Sequence, residues 1–144
     1  MAPGAFEGDA SSFSIGEAPL PKHGDVILVL KPERLDRILS GEKTMELRPR
    51  RLKPGTYYVG AKGELRGQVL LGDALAIDSA AKMRYFKKRH CAGDSLPYKT
   101  TWGLPILGVR RVCCKYQHKR GAVGILRFQA PGDSPSSADV PDVD

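Results

Sequence analysis

Cysteine is scarce and poorly placed for cross-linking. The chain has three, Cys91, Cys113 and Cys114, two of them adjacent. An odd count with neighbouring positions makes a poor disulfide framework and points to a reducing compartment. There is no Cys-x-x-Cys spacing, and adjacent strand residues face opposite ways. His90, Cys91, Cys113, Cys114 and His118 therefore do not read as a zinc site. No metal or cofactor is expected. Long apolar runs are also missing: the longest, such as "VILVL" at 26–30, are far too short to cross a bilayer. Residues 1–21 hold no Lys or Arg, which argues against a basic-then-apolar signal peptide and against a transit peptide. Gly-rich phosphate loops of the Walker or Rossmann type and Ser-His-Asp or Cys-protease motifs are absent. A cytoplasmic or nuclear protein with no membrane contact is expected.

What the chain has in quantity is positive charge, unevenly distributed. Residues 1–23 and 130–144 are rich in Gly, Pro, Ser and Asp without periodicity, a composition that cannot bury enough apolar surface to offset ordering entropy. Both are expected to be disordered tails flanking one domain, 24–129. Of the 23 Lys and Arg only Lys22 falls in the tails, against seven of the 16 acids. The domain thus keeps 22 basic and 9 acidic residues, a net +13. Such a surplus favours polyanionic partners, nucleic acid first. The acidic tails could screen that surplus.

Periodicity organises the domain. "DVILVL" (25–30) predicts a buried strand, and "PERLDRILSG" a helix with Pro32 in its first turn and Gly41 as a left-handed cap. In "TMELR" the period is two: Met45 and Leu47 face one way, Thr44, Glu46 and Arg48 the other. "TYYVGA" and a long "LRGQVLLGDALAID" predict two further strands, the second bent at Gly67 and Gly72. A helix over 79–90, a loop over 91–103, and the strands "LPILGVRRVCC" and "GAVGILRF" complete the order β-α-β-β-β-α-β-β. The fold class is α+β, a small barrel of about six strands with two helices.

A distinctive combination lies at the first helix-to-strand junction, "VILVLKPERLDRILSGEKTMELRPRR". Gly41, Lys43, Glu46 and Arg48 there make Gly-x-Lys-x-x-Glu-x-Arg. This resembles an ASCH domain, of the PUA-like superfamily of RNA-associated β-barrels, over about residues 26–128. The later "TTWGL" and "YQHKRGAVGILRF" agree in kind. The resemblance implies a PUA-like barrel whose cleft, lined by the signature, binds RNA. Some members of the family are N4-acetylcytidine amidohydrolases with a catalytic lysine, a threonine three residues on and a distant glutamate. Lys43 matches the lysine, Glu46 occupies the threonine position with Thr44 nearby, and Asp94 is the one carboxylate in the loop where the glutamate would be sought. Coactivator members of the family suggest a third role, as a protein-interaction domain in transcription.

The residues themselves support a nucleotide site. A carboxylate such as Glu46 can accept from a base or a ribose hydroxyl, while Arg48 can clasp a phosphate. Lys43 follows the capping glycine and supplies charge. "KMRYFKKRH" adds Arg84, Lys87 and Lys88 on the second helix, and Arg50 and Lys99 extend the basic surface. Tyr57, Tyr58, Tyr98 and Trp102 are candidates to stack on unpaired bases, Trp102 foremost with Tyr57 beside it. The expected protein is a monomer that binds RNA, single-stranded or carrying a modified nucleotide, without catalysis. Were it an enzyme, it would be a hydrolase of the amidohydrolase or ribonuclease type with Lys43 and Glu46 as its acid-base pair.

Overall fold

The computed structural model describes residues 17–117 and 124–130. The His118 of the metal reading lies outside them. Seven strands and three helices are formed among the described residues: β1 (Val26–Val29), α1 (Pro32–Ser40), β2 (Met45–Arg48), β3 (Gly55–Ala61), β4 (Glu64–Leu71), β5 (Leu75–Ala76), α2 (Ala80–Tyr85), α3 (Lys87–His90), β6 (Trp102–Lys115) and β7 (Gly124–Arg127). The strands make one curled mixed sheet in the order β2-β6-β4-β3-β1-β7, with β5 pairing β6 off that path. The result is a half-barrel, as the α+β reading expects. β1 runs parallel to β3; every other pairing between these strands is antiparallel. No helix among the described residues is long and apolar enough to cross a membrane.

β1 is apolar throughout because both of its faces are covered. Leu28 joins an interior cluster with Leu35, Ile38, Val59, Val69 and Leu104, while Ile27 and Val29 join an outer cluster with Tyr58, Leu65, Val112 and Phe128. α1 closes the interior by burying Leu35 and Ile38, each such side chain contributing about 1.5–3 kcal/mol. Its approach to the sheet is close. A Cβ on Gly67, beside the bulge in β4, would lie 2.9 Å from both the Arg110 carbonyl oxygen and Leu39 Cδ2. A third cluster, Met45, Leu47, Ile77 and Met83, packs α2 under β2.

Four expectations change. The long strand 65–78 is two strands: β4 ends at Leu71 beside buried Gly72, and Leu75–Ala76 crosses to pair with Trp102–Gly103. The helix over 79–90 breaks at Phe86 into α2 and α3. Arg84 and Lys88 would stand one turn apart on a continuous helix that holds no acid, and like charges at that spacing oppose it. Trp102 lies in β6 rather than in a loop. Residues 17–23, expected in the N-terminal tail, lie against the domain: the Ala18 N–H donates to the Arg111 carbonyl (2.8 Å), and Tyr58 donates its hydroxyl to the Pro19 carbonyl (2.6 Å). The composition of that segment hid two good backbone partners.

Candidate functional site

α1 ends at Gly41, whose φ of +87° is left-handed and open to glycine at little cost. The turn is completed when Lys43 donates its backbone N–H to the Arg37 carbonyl (2.9 Å). This sends the Lys43 side chain inward rather than to solvent. β2 follows, hydrogen-bonded to β6 with Glu46 opposite Leu104 and Arg48 opposite Trp102. Directly opposed residues share a face of the sheet. Leu104 belongs to the interior cluster, so Glu46 and Arg48 point into the barrel, while Met45 and Leu47 point to α2.

Three charges meet there. The Lys43 ammonium lies 3.6 Å from Glu46 Oε1, and Arg48 Nε donates to Glu46 Oε2 at 3.1 Å. Lys43 is 4% exposed and Glu46 3%. Lys43 also donates to the His90 carbonyl, and Arg48 Nη2 to the Val29 carbonyl (3.5 Å) at the end of β1. Gly124, the first residue of β7, is next to Arg48 as well: a Cβ there would lie 3.9 Å from Nη1. β2 and β7 are the two ends of the sheet path, so Arg48 spans the seam where a closed barrel would have a backbone ladder. Two cations share one carboxylate, which leaves one net positive charge in a site largely shut off from water. Burial pushes the Lys43 ammonium below its ordinary range; Glu46 and Cys91 oppose this, and Arg34 adds to it.

The support beneath the network is His90, fully buried at the end of α3. Its Nε2 donates to the Met83 carbonyl (2.8 Å) and its Nδ1 accepts from the Ala92 N–H (2.9 Å). Both nitrogens are occupied by the neutral ring, and a second proton on Nδ1 would face a donor. Burial lowers the His90 pKa, against the Met83 carbonyl and with Lys43. The folded protein thus resists a proton that the unfolded chain accepts near pH 6.5, so stability from this residue is full above about pH 6.5 and falls as the pH drops below it. Denaturant midpoints at about pH 7.5 and about pH 5.5 are expected to differ more in the native chain than in His90→Gln. Equal differences would show that His90 does not carry the effect.

Of the other residues singled out in the sequence, Trp102 is half-buried beside Arg48, with the Arg51 guanidinium 5.6 Å over its ring. Tyr57 packs on the same interior cluster and donates its hydroxyl to the Lys53 carbonyl (2.7 Å). Arg50 and Lys99 are exposed. Arg84, Lys87 and Lys88 stand exposed on α2 and α3, Lys87 paired with Asp94 at 3.0 Å. Tyr98 packs on the third cluster and Tyr58 is buried in the outer one. The sequence carried no sign that the His90 carbonyl, the Val29 carbonyl and Arg34 surround the signature, because all three are brought there by tertiary contacts. Among the described residues no group of three His, Cys, Asp or Glu converges as metal ligands. A surface cavity of about 390 Å³, lined in part by Glu17, Glu64, Arg66 and Arg111, involves none of the network's residues.

The three-dimensional arrangement has known counterparts. The crystal structure of ASCH from Zymomonas mobilis superposes with a TM-score of 0.59 at 11% identity, covering 83% of this chain and 96% of that one. A serine-to-alanine mutant of the same protein gives 0.59 at 12% identity over 84% and 99%, and a tyrosine-to-phenylalanine mutant gives 0.58 at 12% over 81% and 98%. No family model matches the sequence, and no curated protein does so significantly. The likeness is one of fold.

Proposed function

We propose that a chain with this ASCH fold and this buried charge network binds RNA, taking one unpaired nucleotide at the seam between β2 and β7. The observation that carries the reading is the excess positive charge of Lys43, Glu46 and Arg48 at the seam that the Arg48 side chain bridges. Arg48 is the contact group: it is the most exposed of the three, and a guanidinium suits a phosphate oxygen. Glu46 orients Arg48, and Lys43 holds Glu46. Trp102, in register with Arg48, offers a face for a base. Arg50, Lys99, Arg84, Lys87 and Lys88 would follow the backbone on either side, giving binding that weakens with salt. A second reading rests on Lys43, buried against Glu46 and shifted toward its neutral form, in which an amine can take a proton or attack: an enzyme acting on a modified nucleoside, with Lys43 and Glu46 as the acid-base pair.

Trp102 is the chain's one tryptophan, so its fluorescence reports the site directly. Titration with a short single-stranded RNA is expected to quench it. Arg48→Lys, which keeps the charge and loses the planar fork, is expected to weaken binding about 10-fold or more, the worth of a charge-assisted hydrogen bond. Undiminished affinity in that variant, or binding without any change at Trp102, would remove the nucleotide from this seam. Product formed by the native chain and lost in Lys43→Met, with quenching retained, would establish the enzyme instead.

A further inference from the structure

The most exposed large aromatic among the described residues is Tyr85, at 81%. It sits at the end of α2, edge-on to Phe86 with ring centroids 4.8 Å apart, and the Arg89 guanidinium lies 5.9 Å over the Phe86 ring. From Ala80 to His90 there are five Lys and Arg and no acid. Two of the five are compensated: Lys82 pairs with Asp78 at 3.1 Å and Lys87 with Asp94. Arg84, Lys88 and Arg89 have no carboxylate at ion-pair distance among the described residues. This is a surface that is both cationic and aromatic, and covering the Tyr85 ring would remove apolar area from water.

The chain contains a matching segment. Residues 139–144 read Asp-Val-Pro-Asp-Val-Asp, three carboxylates alternating with apolar side chains, and residues 131–144 contain no Lys or Arg. We propose that this acidic C-terminal segment docks on the α2–α3 face, its carboxylates on Arg84, Lys88 and Arg89 and Val140 or Val143 against Tyr85. The tether is long. Ala130, whose N–H donates to His23 Nδ1 at 3.2 Å, is the last described residue. Nine further residues in an extended Pro-rich chain reach about 28 Å, beyond the radius of a domain this size. Being tethered, the segment competes at an effective concentration in the millimolar range, so a weak contact is well populated. The same carboxylates would screen the face from polyanions, but docking stands or falls without any nucleic acid.

The test is a comparison of backbone amide spectra of the full-length native chain and of the full-length Asp139→Asn/Asp142→Asn/Asp144→Asn variant, with no nucleic acid present. Docking predicts that amides of residues 84–89 differ between the two. It also predicts that the native spectrum moves to the variant's positions at about 1 M salt, where screening shortens to about 3 Å. In Arg84→Ser/Lys88→Ser the amides of Val140 and Val143 should take the positions they have at that salt concentration. Identical spectra overturn the inference. So do differences confined to the Arg50–Lys53 turn, which would place the segment elsewhere, and differences that grow with protein concentration, which would make the contact intermolecular.

Discussion

Replacing Glu46 by alanine is expected to destabilise the fold by about 3–5 kcal/mol, the cost of leaving buried charge without its partner. The reason is specific to this arrangement. Glu46 is the one carboxylate serving two cations, at 3.6 Å from Lys43 and 3.1 Å from Arg48, and neither cation can turn to water without leaving the barrel interior. Lys43→Met should be milder, about 1–3 kcal/mol, because it leaves a neutral Glu46–Arg48 pair and costs chiefly the hydrogen bond to the His90 carbonyl. Chemical denaturation of both variants checks the asymmetry. Similar losses in the two would mean that the charges act independently, and the network would then be three separate contacts.

Leu104→Ala is expected to cost about 2–5 kcal/mol through lost burial and the cavity it leaves. Leu104 is fully buried, and it lies across the ladder from Glu46. A cavity there borders charged groups and can take up water, which satisfies part of the network's remaining hydrogen-bonding capacity. The loss should therefore sit nearer the lower bound than in Leu28→Ala, whose site is in the same cluster but whose neighbours on β1 are apolar. The guanidinium midpoints of the two variants settle the order. A larger loss at Leu104 would show that the interior beside Glu46 stays dry. If the proposed nucleotide site is right, hydration of that cavity should also loosen Arg48 and weaken its hold on RNA, which Trp102 fluorescence would record.

Much of this fold is legible in the sequence where local chemistry decides it. Pro32, Leu35, Ile38 and Gly41 mark the start, face and end of α1, and the alternation of Met45 and Leu47 with Glu46 and Arg48 marks β2. That Lys43, Glu46 and Arg48 form a set is also legible, from their spacing after the helix-capping glycine. Their burial is not. An alternating strand with charges on one face reads as half-solvated, and only the second layer, α2 beneath Met45 and Leu47, frees the charged face to turn inward. The crossing at Gly72 escaped for a related reason, since it depends on the long strand β6 alongside. The break at Phe86 is different: the like charges of Arg84 and Lys88 stand in the sequence, but the helical pattern over 79–90 masks them. Trp102 was hidden by its polar neighbours Lys99, Thr100 and Thr101, although it opens the strand that carries half the sheet.

The pairing of β1 with β7 places Val26 against Arg127, near opposite ends of the described chain. Ladders between such distant segments form late, since the loop between them must close before any contact rewards it. Hairpins such as β3–β4 need no such wait. Arg48 reaches Val29 on β1 and borders Gly124 on β7, so the seam exists only after this last ladder is in place. On a growing nascent chain the seam is therefore absent until β7 has cleared the ribosome, and the nucleotide proposed for it would meet a finished domain rather than help to template one.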